Sequence, residues 1–187
     1  MSALNVSRRQ FFQTTGIAGG GLVVGFSLTG CGSARLPLKG VEGAFAPNAF
    51  VQITPDEAIH FYCPRDEMGQ GVTTGLATLV AEELDVNPQK LLIELAGAHS
   101  DYANPAFGRV QMTGGSTSMK AHYQQLRQIG ADMRALLLNA AALDLGVAVS
   151  KLGTEDGQVL AGDARHSYSR FIATAQTLEV PQDSPLK

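Results

Sequence analysis

Short apolar runs alternate along this chain with two stretches in which apolar residues recur at helical spacing. Residues 49–53 and 58–62 are two such runs, separated by Thr54-Pro55-Asp56-Glu57; they predict two strands joined by a turn with proline at its second position. A loop with two glycines follows, Pro64-Arg65-Asp66-Glu67-Met68-Gly69-Gln70-Gly71. Val72, Leu76, Leu79, Val80 and Leu84 then share one face of a helix that Asn87-Pro88 should stop. Leu91–Leu95 predicts a buried strand. The irregular section 97–115 contains Asn104-Pro105 and ends in Thr113-Gly114-Gly115. The longest helix begins near Ser116: Met119, Tyr123, Leu126, Met133, Leu137 and Ala140 recur at three- and four-residue steps. Gly130 continues that row, suited to close packing, and Gly146 ends the helix. The tail predicts a hairpin around Glu155-Asp156-Gly157-Gln158, a short helix over 168–178 and a polar end. The order β-β-loop-α-β-loop-α-β-β-α predicts an α+β domain, a small mixed sheet with helices packed on one side.

Composition narrows this further. The chain has 187 residues, 44% apolar and 17% charged with no tryptophan, which describes one packed globular domain rather than a disordered segment. At the front, Ser7-Arg8-Arg9-Gln10-Phe11-Phe12 precedes a glycine-rich apolar run, 16–28, too short to hold a transmembrane helix stably. This is the layout of a twin-arginine export signal, a route that carries folded proteins and so predicts a periplasmic protein with a cofactor built in before export. Leu28-Thr29-Gly30-Cys31 resembles a lipobox. Two readings stand: lipidation of Cys31 with membrane attachment, or a chance cysteine closing an ordinary signal. The chain thus divides into a signal over 1–30, a linker rich in Gly, Ala and Pro over 31–48, and a domain over 49–187. Cleavage before Cys31 would remove Arg8 and Arg9 and move the formal charge from −3 to −5, so nothing favours nucleic acid or anionic lipid as a partner. Cys63 would then be the remaining cysteine, which excludes an internal disulfide and any iron–sulfur cluster or structural zinc made by this chain alone.

Two glycine-bearing loops open directly into helices: Met68-Gly69-Gln70-Gly71 and Gly114-Gly115-Ser116-Thr117-Ser118. A helix start presents unpaired N–H groups and about half a unit of positive charge. Glycines admit a ligand close to the backbone, and the hydroxyls and Gln70 add hydrogen-bonding edges. Such ends suit a phosphate or a planar, pterin-like heterocycle. The competing reading is ordinary capping, with Thr73 or Ser116 closing its own helix. Neither loop has the Gly-Lys-Ser/Thr of a P-loop.

Glu67-Met68-Gly69-Gln70-Gly71, Thr74 and Ala81-Glu82-Glu83-Leu84 resemble a stretch of the molybdenum hydroxylases, the xanthine dehydrogenase and aldehyde oxidase family. Thr113-Gly114-Gly115-Ser116-Thr117-Ser118 and Leu126-Arg127-Gln128-Ile129-Gly130-Ala131 sharpen the likeness. With the twin-arginine start, the chain most resembles the beginning of the isoquinoline 1-oxidoreductase beta-subunit group, over nearly all of residues 45–187. The resemblance implies a molybdopterin-binding-domain fold and a molybdopterin cytosine dinucleotide site. Cofactor contacts then fall on Gly69, Gln70 and Gly71 and on Gly115, Ser116, Thr117 and Ser118, with no metal ligand supplied by the chain. It implies hydroxylation of an N-heterocycle or aldehyde with oxygen from water, and a small subunit with two [2Fe–2S] clusters to take the electrons. The family's catalytic glutamate lies in a later part of a much longer chain and has no counterpart here. The expectation is therefore a portion of a large subunit, without a catalytic residue of its own and inactive alone, that shares its cofactor with the remaining domains.

The other polar candidates read as structural. Glu82 and Glu83 point about a hundred degrees apart on a helix and suggest a solvated face. His60, His99, His122 and His166 fall on separate elements without metal spacing, although His99 and Asp101 could line a channel. Cys63 reads as a small buried side chain. Two alternatives to the enzyme component remain, an exported structural or binding domain without cofactor and an independent nucleotide-binding protein.

Overall fold

The computed structural model describes residues 44, 46–108 and 110–187; the predicted signal, Cys31 and most of the predicted linker lie outside them. Burial already reaches Ala44 and Ala46, ahead of residue 49. β1 (Val51–Ile53) and β2 (Ile59–Cys63) pair antiparallel, Val51 opposite Phe61. The Thr54 N–H and hydroxyl both donate to the Ala58 carbonyl and close the turn between them. β3 (Leu91–Leu95) lies parallel to β2 on its other side, Ile59 opposite Leu91 and Cys63 opposite Leu95. A parallel pair needs a crossover, and α1 (Val72–Leu84) supplies it.

α1 buries Val72, Leu76, Ala77, Val80, Ala81 and Leu84 as the face that packs on β2 and β3. It ends ahead of the predicted stop. Asp85 takes φ 55° and donates its N–H to the Ala81 and Glu82 carbonyls, and Val86 N–H also returns to Ala81. Asn87 instead caps a single 3-10 turn, Pro88–Lys90, through its side chain.

α2 (Ser118–Leu145) is 28 residues long, about 42 Å at the usual rise per residue. It packs along α1 and continues past it to the later strands. Leu126, Gly130, Met133, Leu137 and Ala140 are buried as their spacing predicts, but Met119 and Tyr123 are exposed. A Cβ on Gly130 would stand 2.8 Å from the Val80 carbonyl oxygen and from Glu83 Cβ; one on Gly75 would stand 2.8 Å from Met119 Sδ. Early meets early and late meets late. The two helices therefore run side by side in one direction, with both N-termini at the same end.

Two expectations change. The predicted single sheet is two, because the strands after α2 form their own antiparallel meander: β4 (Leu152–Glu155), β5 (Gln158–Ala161) and β6 (Ala164–Ser167). β6 is an addition, since Ala164-Arg165-His166-Ser167 carries no apolar alternation to mark it. β3 is a strand but not a buried one. All five residues of β2 are buried, whereas Leu92, Ile93 and Leu95 of β3 are 49%, 41% and 60% exposed. An apolar run marks a strand without telling the centre of a sheet from its edge, and β3 is the edge. The fold remains α+β. A turn over Tyr168–Phe171 and the short α3 (Ile172–Ala175) complete it. Tyr168 Oη donates to the Leu84 carbonyl (2.7 Å) and Gly157 N–H to the Asp85 carbonyl (2.8 Å), tying the meander to the end of α1. Among the described residues no helix is long and apolar enough to cross a membrane.

Candidate functional site at two helix starts

The parallel helix pair brings both glycine-bearing bends together beyond the C-terminal ends of β2 and β3. Asp66 N–H donates to Thr113 Oγ1 at 2.9 Å, linking one bend directly to the approach of the other. Exposed apolar side chains surround them. Phe107 and Met112 lie against Gly115 and Gly114, and Met119 against Gly75.

The bend before α1 is filled from within. Gly71 at φ 77° is the N-cap, a conformation that favours glycine, and it offers no capping side chain. Glu67 takes that role. One carboxylate oxygen accepts from Gly69 N–H and Gly71 N–H, each at 2.9 Å; the other accepts from Thr73 N–H (3.1 Å) and Thr73 Oγ1 (2.9 Å). These donors, Gly71 N–H first, pull the Glu67 carboxyl down to about 2. Gln70 is engaged as well, its carbonyl accepting from Met68 N–H (2.5 Å) and its NH2 donating to the Asp66 carbonyl (2.9 Å). Gly69, Gln70 and Gly71 thus reach the site with these donors occupied.

The bend before α2 is braced but open. Gly115 and Ser116 take φ 61° and 53°. Thr117 Oγ1 donates to the Gly114 carbonyl (2.8 Å) and accepts from the NH2 of buried Asn104 (2.9 Å), which fixes the turn. Among the described residues nothing accepts from the N–H groups of Ser118, Met119 and Lys120, and nothing bonds the hydroxyls of Ser116 and Ser118. An anionic group therefore fits at the start of α2, whereas at the start of α1 it would have to replace Glu67.

Sequence reasoning missed the side chain that joins the bends from beneath. Arg65 is fully buried and no carboxylate among the described residues pairs with it. Its guanidinium donates to the Pro64 carbonyl (2.6 Å) and to His122 Nε2 (2.6 Å) on α2; its Nε has no partner. His122 Nε2 must accept here, so Nδ1 carries the proton and donates to Gln125 Oε1 (2.8 Å). Burial holds the His122 pKa below its ordinary value, and the Arg65 charge adds to that. The pattern of polar positions gives no hint of a buried guanidinium. Glu83 was missed for a related reason. Glu82 is solvated, but Glu83 is buried, accepting from Arg127 Nε (2.8 Å) and Lys187 N–H (3.0 Å).

The remaining candidates lie apart. His60 Nδ1 sits 2.7 Å from Glu94 Oε1 within the first sheet, His99 Nδ1 accepts from Asp101 N–H at 3.3 Å, and His166 contacts Arg170 beyond β5. Cys63 is buried with Sγ 3.3 Å from the Arg65 carbonyl, and burial pushes its thiol pKa up. No three His, Cys, Asp or Glu side chains among the described residues gather as a metal site.

The family model for the molybdopterin cofactor-binding domain matches residues 5–185. The beta chain of isoquinoline 1-oxidoreductase from Brevundimonas diminuta is 34% identical over 145 residues, covering 76% of this chain and 18% of that protein. Membrane-bound aldehyde dehydrogenase (pyrroloquinoline-quinone) of Gluconacetobacter polyoxogenes is 30% identical over 172 residues, 90% of this chain and 21% of that protein. The second component (B) of nicotinate dehydrogenase from Pseudomonas putida is 29% identical over 140 residues, 74% of this chain and 11% of that protein. The chain spans about a fifth or less of the length of these relatives.

Proposed function

The chain belongs to the molybdopterin cofactor-binding domain family, and from that premise we propose that it is the cofactor-contacting part of a molybdenum hydroxylase large subunit. The observation that carries the reading is the convergence of two helix starts at one end of the fold, one of them with free donors. The names of the isoquinoline and nicotinate enzymes favour N-heterocycles as substrates, and that of the aldehyde dehydrogenase favours an aldehyde. Water is the source of oxygen in this reading. The aldehyde dehydrogenase also carries a quinone in its name; molybdenum is preferred because the matching family model is that of a molybdopterin domain.

A molybdenum–pterin group, when bound, supplies the two-electron oxidation and the transfer of oxygen. The residues of this chain hold and orient it. The amides of Ser118, Met119 and Lys120, with the hydroxyls of Ser116 and Ser118, grip an anionic phosphate, in our reading that of the cytosine dinucleotide form. Asn104 and Thr117 keep that bend in shape, Gly115 lets the group approach, and Gly69, Gln70 and Gly71 form the neighbouring wall. The general base and the closure of the site come from the remaining domains, and a [2Fe–2S] small subunit accepts electrons. Export in the folded state to the periplasm, with or without a lipid on Cys31 for membrane attachment, completes the proposal.

The test is assembly with the rest of the large subunit and the iron–sulfur subunit, followed by assay of molybdenum and pterin. Ser118→Asp, which sets a negative charge among the free donors, is expected to lower molybdenum content at least tenfold while the fold is retained. Gln70→Ala should lower it too, by releasing the loop. A wild-type assembly with neither molybdenum nor pterin would overturn the reading. It would establish instead an exported domain without cofactor, the alternative favoured by Glu67 already filling one of the bends.

A further inference from the structure

We infer that the outer edge of β3 is the seam along which a β-strand from the remainder of the large subunit extends the first sheet. The inference rests on the reading above that this chain works within a longer subunit. β3 pairs with β2 on one side, and no strand among the described residues pairs with its other side. Sheet edges meant for solvent are usually blunted by lysine, proline, a bulge or an inward charge. Leu91-Leu92-Ile93-Glu94-Leu95 has none of these. Its one charge, Glu94, is drawn to His60 on β2, and the neighbouring Lys90 is held by Asp156 (2.5 Å).

The side chains argue the same way. Leu92 stands exposed on one face of the strand, Ile93 and Leu95 on the other, beside a β2 that is buried throughout. Apolar residues on both faces, in a strand paired parallel, are the signature of a position inside a covered sheet rather than at its rim. The occupant follows from the lengths. The relatives carry about four-fifths or more of their residues outside the stretch matched here. An extended, uncharged segment from that portion would satisfy the outward N–H and C=O groups and bury the three side chains together.

Amide exchange over residues 91–95 is to be measured in this chain alone and after assembly with the polypeptide carrying the rest of the large subunit. The affinity of that assembly is to be compared between the wild type and the double variant Leu92→Lys, Leu95→Lys. The outward amides are expected to exchange at least tenfold more slowly in the assembly. The variant should bind at least tenfold more weakly, while its own circular dichroism and melting temperature match those of the wild type. If the variant melts lower, the exchange measurement on the wild type decides. Equal exchange in both states, or undiminished affinity, overturns the inference. So does a dimer of this chain alone that the substitutions dissociate, which assigns the edge to a second copy. Slow exchange in this chain alone that is lost on removal of residues 1–43 overturns it as well. An assembly that protects these amides yet contains no molybdenum would sink the cofactor reading and leave the seam in place.

Discussion

Glu67 does for α1 what its N-cap cannot, since Gly71 has no side chain with which to accept the first amides. Its carboxyl lies near 2 against an ordinary 4.5, so the interaction contributes stability that is present above pH 4.5 and lost as the pH falls towards 2. Glu67→Gln is expected to melt lower than the wild type at neutral pH and to show a flatter acid limb, read from thermal melts across that range. His122 works in a different window. Its folded pKa lies below 6.5, so an unfolded chain takes up a proton near 6.5 while the native one does not. Stability is therefore complete above about pH 6.5 and declines below it, by up to about 1.4 kcal/mol per pH unit. His122→Gln keeps an acceptor for Arg65 and should remove that decline, which melts between about pH 7.5 and 5 will check. Neither residue was legible as an anchor in the sequence. The glycines of both bends were, because backbone freedom is written in residue type. Which acceptor fills a helix start depends on the path of the loop.

At the scale of the element, the close approach of α1 and α2 is the best-defined contact, and Gly130 is its centre. Gly130→Ala would drive a methyl group into the backbone of α1 and is expected to cost about 1–3 kcal/mol. Denaturant unfolding measures this, with an unchanged m-value expected. This contact was visible in the sequence, where a glycine takes an apolar place in a helical row. The long helix, the hairpin of β1 and β2, and the existence of β3 were legible for the same reason, that period and turn residues report local geometry. What failed was what depends on neighbours. Met119 and Tyr123 continue the buried row of α2 in sequence, yet both are exposed in space. Leu92 and Leu95 read as core, yet they belong to an edge. Glu83 is buried because Arg127 and the Lys187 backbone reach it from far along the chain. β6 carries no alternation and is held by the ladder it joins.

Across the whole molecule, α2 is the common spine. It packs on α1, over the first sheet, and reaches β4 and β5 of the second. Both bends project from one end of this spine, so the donors of the site are held by long-range packing rather than by the loops themselves. The two sheets differ in how far apart their partners are in sequence. The meander closes through Asp156-Gly157 and Gly162-Asp163, two residues each, whereas β2 and β3 meet only after residues 64–90 have been gathered between them. Closing so long a span yields no return until α1 is in place, so the parallel pair should zip up after the rate-limiting step of refolding. A cavity made there should hasten escape from the native basin and leave the return almost untouched. For Leu91→Ala, a loss of about 2 kcal/mol would appear as a roughly thirtyfold faster unfolding limb in stopped-flow traces, with the refolding limb moved less than about twofold.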